Sequence, residues 1–173
     1  MNKVKTFNFN YSLPFSAETV WQLLADDYGN VANYANGLVS SQYINGSAYG
    51  REGAQRLCNM NENGKTYLIE RMVDVDVNKM QFTNEITEVA RLPIAPLLSK
   101  TIFKITANTP DSCQLSIEVH MRTKPAFLVM LMGGASKKQM TDLVIGMQHY
   151  LETKETVTKA NFSKIRKLYS LAS

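Results

Sequence analysis

The stretch from Phe127 to Thr153, FLVMLMGGASKKQMTDLVIGMQHYLET, joins a Met-rich apolar run to a helical pattern near the end of the chain. From Lys137 to Thr153, apolar residues recur at spacings of three and four, which places them on one face of a helix. That face carries Met140, Leu143, Val144, Met147 and Leu151. Thioether side chains are flexible and polarizable, so such a face adapts to partners of different shape, including a small molecule. The sequence therefore predicts a helix over 137–153 that closes over an apolar surface.

The apolar run before this helix, residues 127–132, is interpreted separately. We expect it to form the buried first turns of the closing helix or to line a portal, because so short a run cannot span a bilayer. Gly133-Gly134 then marks a kink or a break before the main helix. Contact with a membrane is the less favoured interpretation.

Most of the chain before residue 127 is predicted to be β-strand. Residues 3–11 alternate between two faces, with Phe7 and Phe9 pointing inward. Ser16 is a suitable cap for a helix over 17–25, and a second short helix is predicted over 31–35. Six further strands, separated by turn residues, form an antiparallel meander: 39–44, 53–59, 65–75, 80–88, 99–108 and 114–122. Pro93 and Pro96 make 91–98 an ordered loop.

Alternation along these strands predicts which side chains point inward. The inner faces carry Asn84, Ile86, Thr101, Phe103 and Met121. His120 points outward, and Glu88 shares the inner face of its strand with Asn84. Within 66–75, a simple apolar count favours Tyr67, Ile69, Arg71, Val73 and Val75 for the inside. An apolar inner face with a few polar groups is typical of a ligand pocket.

Composition limits the class of protein. The chain has 173 residues, 45% of them hydrophobic and 20% charged, which is typical of one folded domain. The formal net charge of +4 comes from scattered residues, so we expect no nucleic-acid partner. The sequence shows no membrane-spanning run and no signal peptide, so we expect a cytoplasmic protein without stable membrane insertion. Cys58 and Cys113 are expected to be buried, reduced thiols, and no metal or cofactor is predicted.

The order of strand, two helices, six strands and a long helix resembles the helix-grip fold of the START-like, birch-pollen-allergen-like (SRPBCC, polyketide cyclase/dehydrase) superfamily. The likeness covers roughly residues 3–153. Ser16-Ala17-Glu18-Thr19-Val20-Trp21 is similar to the opening helix of that superfamily, and Glu70-Arg71-Met72 is similar to its Glu-Arg-Leu strand. Tyr34 stands where a Trp is common, and the proline that usually follows is absent here. The resemblance implies an α+β fold, with a curved antiparallel sheet of about seven strands wrapped around the long helix.

The resemblance also implies the site. In such relatives the glutamate of the Glu-Arg-Leu strand faces the cavity, a role that falls on Glu70 here and contradicts the simple apolar count. We therefore expect residues 1–155 to form a ligand-binding domain and 156–173 a helical extension or a tail. The expected ligand-binding residues are Arg56, Cys58, Leu68, Glu70, Met72, Asn84, Ile86, Thr101, Phe103, Met121, Met140, Val144 and Met147.

Three hypotheses for function follow. The first is a carrier or sensor that holds a hydrophobic or amphipathic small molecule, with Glu70 and Asn84 orienting its polar end, as a monomer or a homodimer. The second is a cyclase/dehydratase-type enzyme, with Glu70 as general acid or base. The third is an interaction module that docks through residues 157–171. His149, off the Met stripe, is expected to face solvent or to have a packing role.

Overall fold

The computed structural model describes residues 4–169, and within them the predicted α+β architecture is confirmed. Seven strands form one antiparallel sheet in the order β1-β7-β6-β5-β4-β3-β2. The strands are β1 Lys5–Leu13, β2 Ser40–Ile44, β3 Gln55–Asn59, β4 Tyr67–Asp76, β5 Gln81–Ala90, β6 Lys100–Thr109 and β7 Ser112–Met121. The predicted first strand began at Lys3, which lies outside the described residues.

Helices cover one face of this sheet. Helix α1 (Ala17–Trp21) begins at Ser16, whose Oγ accepts a hydrogen bond from the Thr19 amide at 3.1 Å, as the capping pattern predicted. It continues as a π-helical turn, Gln22–Asp26, and is followed by a 3₁₀ helix, Tyr28–Asn33. The long helix α2 spans Gly133–Thr153 and lies between a 3₁₀ helix, Ala126–Leu131, and a short final helix, α3, Phe162–Tyr169.

The hydrophobic core lies between the inner face of the sheet and these helices. Phe82 of β5 is at its centre, and its ring lies 5.9 Å from the Trp21 ring, 6.4 Å from the Tyr28 ring and 5.1 Å from the Phe103 ring. Phe7 and Phe9 pack against the same core, as predicted. Burial of these large aromatic side chains holds the N-terminal helices onto the sheet.

A β-bulge in β5 reverses the alternation near its end. Ile69 pairs with Glu88, but Glu70 pairs with Ile86, so Thr87 is an extra residue on β5. Beyond this point Val89 packs against the core, while Glu88 accepts a hydrogen bond from the Tyr67 hydroxyl at 2.6 Å in an exposed position. The expectation that Glu88 shares the inner face with Asn84 is therefore wrong, because simple alternation does not allow for a bulge.

The predicted start of the closing helix also needs correction. Helix α2 begins at Gly133 instead of Lys137, so Gly133-Gly134 forms its first turn and not a break. The preceding run is not buried: in the 3₁₀ helix 126–131, Phe127, Met130 and Leu131 are exposed, and only Val129 is fully buried.

The second apolar face of α2 is covered by the C-terminal segment. Ile145 packs with Val157, Phe162 and Ile165, and the Val157 amide donates a hydrogen bond to the Asn33 carbonyl at 2.8 Å. As far as Tyr169, the segment thus consists of helix α3 and the loop that connects it to α2. The range predicted to dock on a partner, 157–171, ended at Leu171, which lies outside the described residues. His149 is buried beneath the segment, edge-on to the Tyr169 ring, so it has a packing role.

Candidate functional site

A cavity of about 200 Å³ lies between the inner face of the sheet and the first half of α2. Most of the predicted binding residues line it: Arg56, Cys58, Leu68, Glu70, Asn84, Ile86, Thr101, Phe103, Met121 and Met140. Glu70 therefore faces the cavity, and the simple apolar count within 66–75 is wrong. The sheet register brings these side chains together, because Arg56 lies directly opposite Glu70, Glu70 opposite Ile86, and Asn84 opposite Thr101.

Met72, Val144 and Met147 do not line the cavity. All three are buried in the hydrophobic core. The reason is the placement of α2: its first half borders the cavity through Ser136, Gln139, Met140 and Leu143, whereas farther along the helix Val144 and Met147 are covered by core residues. Helical spacing predicted the inward face but not where along that face the sheet and helix separate.

An ion pair between Arg56 and Glu70 forms the polar part of the cavity wall. The Arg56 Nε and Nη2 atoms lie 2.7 Å and 2.6 Å from the same carboxylate oxygen, Glu70 Oε2. The two side chains are only 8% and 13% exposed. Arg56 Nη1 donates to the Tyr28 carbonyl at 2.6 Å, and the guanidinium lies 3.9 Å from the centre of the Tyr28 ring. All three guanidinium nitrogens are therefore engaged, and the pair as a whole is neutral.

This pair changes the protonation behaviour of its neighbours. Burial by itself lowers the pKa of Arg56, but the attraction of Glu70 acts the other way and the pKa is raised overall, so the guanidinium stays charged. Burial, together with the nearby Glu70 carboxylate, raises the pKa of the Cys58 thiol to about 12. Burial likewise raises the pKa of Tyr28. Cys58 is thus a neutral thiol at physiological pH and not a nucleophile.

Asn84 is the second polar group on the wall. Its Oδ1 accepts a hydrogen bond from the buried Tyr28 hydroxyl, which fixes the orientation of the amide. Among residues 4–169, neither Asn84 Nδ2 nor Glu70 Oε1 has a hydrogen-bond partner, and both residues line the cavity. The largely apolar cavity wall therefore carries an unpaired donor, Asn84 Nδ2, and an unpaired acceptor, Glu70 Oε1. Ser136 Oγ, which is buried without a partner among the described residues, adds a third polar atom.

Sequence reasoning missed Tyr28. This residue supports both polar groups of the site, but it lies between the two predicted helices, 17–25 and 31–35, where the sequence predicted no site residue. Other lining residues that were not predicted come mainly from loops and from α2: Val31, residues 35–38, Met60, Ile94, Val119, Ser136, Gln139 and Leu143. Val119 was detectable, because it shares the strict alternation of β7 with Met121.

The site has little equipment for acid–base chemistry. Glu70 is the only carboxylate that lines the cavity within residues 4–169, and no histidine lines it. His120 points outward as predicted and pairs with Glu118 on β7, while His149 lies 3.3 Å from Glu155 under the C-terminal segment. In the same part of the chain, no group of His, Cys, Asp and Glu is arranged to hold a metal ion. No helix in this range is long and apolar enough to cross a membrane.

Comparison with known proteins gives matches at the level of structure. No protein-family model and no curated protein sequence matches the chain. A START superfamily protein from Mycobacterium smegmatis superposes with a TM-score of 0.65 at 14% identity, over 85% of this chain and 97% of that one. The ZhuI aromatase/cyclase from Streptomyces sp. R1128 gives 0.66 at 13% identity, over 90% and 100%.

Norcoclaurine synthase from Thalictrum flavum, solved in complex with dopamine and hydroxybenzaldehyde, gives a TM-score of 0.59 at 15% identity, over 89% of this chain and 90% of that one. At such identities a likeness shows the fold. The seven-stranded curved sheet and the long helix that closes over it agree with all three structures. The chain therefore adopts the helix-grip fold of the START-like (SRPBCC) proteins.

Proposed function

We propose that the protein binds a small, largely apolar molecule that carries one hydroxyl group, in the cavity between the sheet and α2. The observation that carries this proposal is the pair of unpartnered polar atoms, Glu70 Oε1 and Asn84 Nδ2, on a cavity surface that is otherwise mostly apolar. A hydroxyl group donates one hydrogen bond and accepts others, so it supplies the kind of partner that each of these two atoms lacks.

The size of the cavity limits the ligand. A dry protein cavity of about 150 Å³ holds one benzene molecule. The volume of about 200 Å³ therefore accommodates a substituted aromatic ring or a compact pair of rings. A long-chain lipid is too large for this volume.

The charge of the site favours a neutral ligand. Arg56 already neutralises Glu70, and each of its guanidinium nitrogens has a protein partner. A carboxylate ligand brings a second negative charge next to Glu70 without gaining a free cation. The fold is compatible with small hydroxylated aromatic ligands, because the norcoclaurine synthase structure contains dopamine and hydroxybenzaldehyde.

The test is a matched set of ligands, namely a naphthol, its methyl ether, naphthalene and a naphthoate, measured by calorimetry and thermal shift. We expect the naphthol to bind best. The methyl ether loses the donor to Glu70 and should bind about ten- to a hundredfold more weakly, since a hydrogen bond to a charged group contributes roughly 1.5–3 kcal/mol. Equal affinity for all four compounds would contradict the assigned polar contacts.

A matched pair of variants locates the binding. Met140→Trp places a larger side chain in the cavity, whereas Gln148→Trp changes a half-buried residue of the same helix that does not line it. Met140→Trp should abolish naphthol binding and Gln148→Trp should preserve it. Loss of binding in both variants, with both still folded, would place the ligand elsewhere.

Acid–base catalysis at Glu70 is the second candidate function. The observation in its favour is that one Glu70 carboxylate oxygen faces the cavity without a partner. Among residues 4–169, however, no second carboxylate or histidine lines the cavity to complete a proton transfer. Turnover of a polyketide-like substrate that survives in Glu70→Gln would remove Glu70 from a catalytic role.

A further inference from the structure

The 3₁₀ helix 126–131 presents an apolar surface to solvent. Phe127, Met130 and Leu131 are 64%, 73% and 77% exposed, respectively. Only Val129 of this helix is fully buried, and it anchors the helix to the core. Three large apolar side chains exposed on one turn and a half are unusual for a free surface and indicate an interaction site.

The charged residues that flank this helix in the sequence are all basic. Between Glu118 and Asp142 the chain contains no acidic residue, and its charged residues there are Arg122, Lys124, Lys137 and Lys138. Lys124 comes two residues before the helix and Lys137 six residues after it, and both are exposed. Lys138 pairs with the buried Asp142. An apolar surface with basic residues on both sides complements an anionic lipid surface, which offers apolar depth beneath negative headgroups.

We propose that the 3₁₀ helix 126–131 docks the protein reversibly on an anionic lipid bilayer. Phe127, Met130 and Leu131 enter the interface, and Lys124 and Lys137 contact the headgroups. A second copy of the chain is a poorer occupant, because a two-fold contact through this surface brings lysine against lysine. The helix lies on the membrane and does not cross it.

Docking would also orient the cavity. Ser136, Gln139 and Met140, which line the cavity, belong to the first turns of α2 and follow Leu131 directly in the chain. Ser136 is five positions after Leu131, so their Cα atoms lie at most roughly 18 Å apart. The docked protein thus holds this side of the cavity near the bilayer, where an apolar ligand exchanges without passing through bulk water. This last step rests on the proposed ligand binding, whereas the docking does not.

The experiment is co-sedimentation of the full chain with vesicles of phosphatidylcholine alone and of phosphatidylcholine mixed with phosphatidylserine. We expect binding to the mixed vesicles only, weakened by salt. Burial of Phe127 and of Leu131 in the bilayer should each raise the affinity for vesicles about tenfold. The variant Phe127→Ser/Leu131→Ser should therefore bind roughly a hundredfold more weakly. Lys137→Gln should weaken binding about fivefold, the effect of one basic residue near an anionic surface.

The matched control is Val77→Ser. Val77 is 64% exposed, like Phe127, but it follows the end of β4, at the opposite end of the sheet from Met121 and the 3₁₀ helix. Val77→Ser should bind like the unmodified protein, and all variants should keep its melting temperature. The proposal is overturned if the unmodified protein binds neither kind of vesicle, or if it binds both kinds with the same affinity. It is also overturned if Phe127→Ser/Leu131→Ser binds vesicles as well as the unmodified protein, or if that variant abolishes a dimer seen by sedimentation velocity.

The two proposals fail separately. Met140→Trp should lose the naphthol yet keep binding to mixed vesicles, and Phe127→Ser/Leu131→Ser should do the reverse. Vesicle binding without any ligand binding leaves the docking in place and removes the proposed function.

Discussion

Replacing Glu70 with glutamine should destabilise the protein strongly, although the two side chains have nearly the same shape. The change leaves the Arg56 guanidinium, which is 8% exposed, without the carboxylate that lies 2.6 Å from its Nη2 atom. Breaking a buried ion pair by removing one partner costs roughly 3–5 kcal/mol. Since domains of this kind unfold with a free energy of about 5–15 kcal/mol, the loss is a large part of the total.

A second ion pair of the same sheet provides the control. Arg71 and Glu85 also face each other on adjacent strands with an N–O distance of 2.6 Å, but their side chains are 42% and 23% exposed on the outer face. Glu85→Gln should therefore cost at most about 1 kcal/mol. The comparison holds the residue types and the distance constant and changes burial.

Urea unfolding followed by circular dichroism measures both variants, with the slope of the transition checked for two-state behaviour. The double variant Arg56→Met/Glu70→Leu should recover more than half of the loss in Glu70→Gln, because it removes both buried charges. A loss of stability in Glu70→Gln no larger than that in Glu85→Gln would contradict the cost assigned to burial. A double variant less stable than Glu70→Gln would contradict it as well.

Two further predictions concern stability. The pKa of Cys58 is raised from 9.0 to about 12, so the folded state keeps a proton that the unfolded chain loses; stability should fall by about 1.4 kcal/mol per pH unit between these values. Cys58→Ala should remove that part of the alkaline loss in urea titrations at several pH values. Gly146→Ala should strongly lower the melting temperature, because a Cβ at this position meets the Tyr34 carbonyl. Gly134→Ala, on the same helix with open space around it, should raise the melting temperature slightly. Equal effects of the two substitutions would contradict the close approach of α2 to Tyr34.

The fold was predictable because its main signals are local and repeated. The strict alternation of Ser112–Met121 and the three-and-four spacing of Met140, Leu143 and Met147 each arise from one element packing on one core. The start of α2 was less predictable. Glycine is a poor helix former, so Gly133-Gly134 indicated a kink or a break, yet both residues lie in the first turn of α2.

The inward position of Glu70 could not be predicted from the residue pattern of its own strand. Both faces of β4 carry large apolar residues, such as Leu68 on one side and Ile69 on the other, so a count along this strand does not separate them. A carboxylate is tolerated inside because Arg56, supplied by the neighbouring strand, lies directly opposite it. The pairing of Arg56 with Glu70 depends on the register between two strands, which the pattern of a single strand does not contain. The resemblance to a known fold supplied this information.

Tyr28 shows the same limit more strongly. Its carbonyl accepts from Arg56, its ring lies under the same guanidinium, and its hydroxyl donates to Asn84, so one residue positions both polar groups of the cavity. None of these partners lies within twenty residues of Tyr28 in the chain. Local sequence around it, with Asp26, Asp27 and Gly29, signals only the end of a helix. The groups of a buried polar network form hydrogen bonds with one another from different helices and strands. In the sequence, each of these residues by itself looks like a turn residue or like a polar residue out of place in an apolar pattern. Positions at which a polar residue contradicts the apolar pattern of a strand are therefore where a ligand site should be sought first.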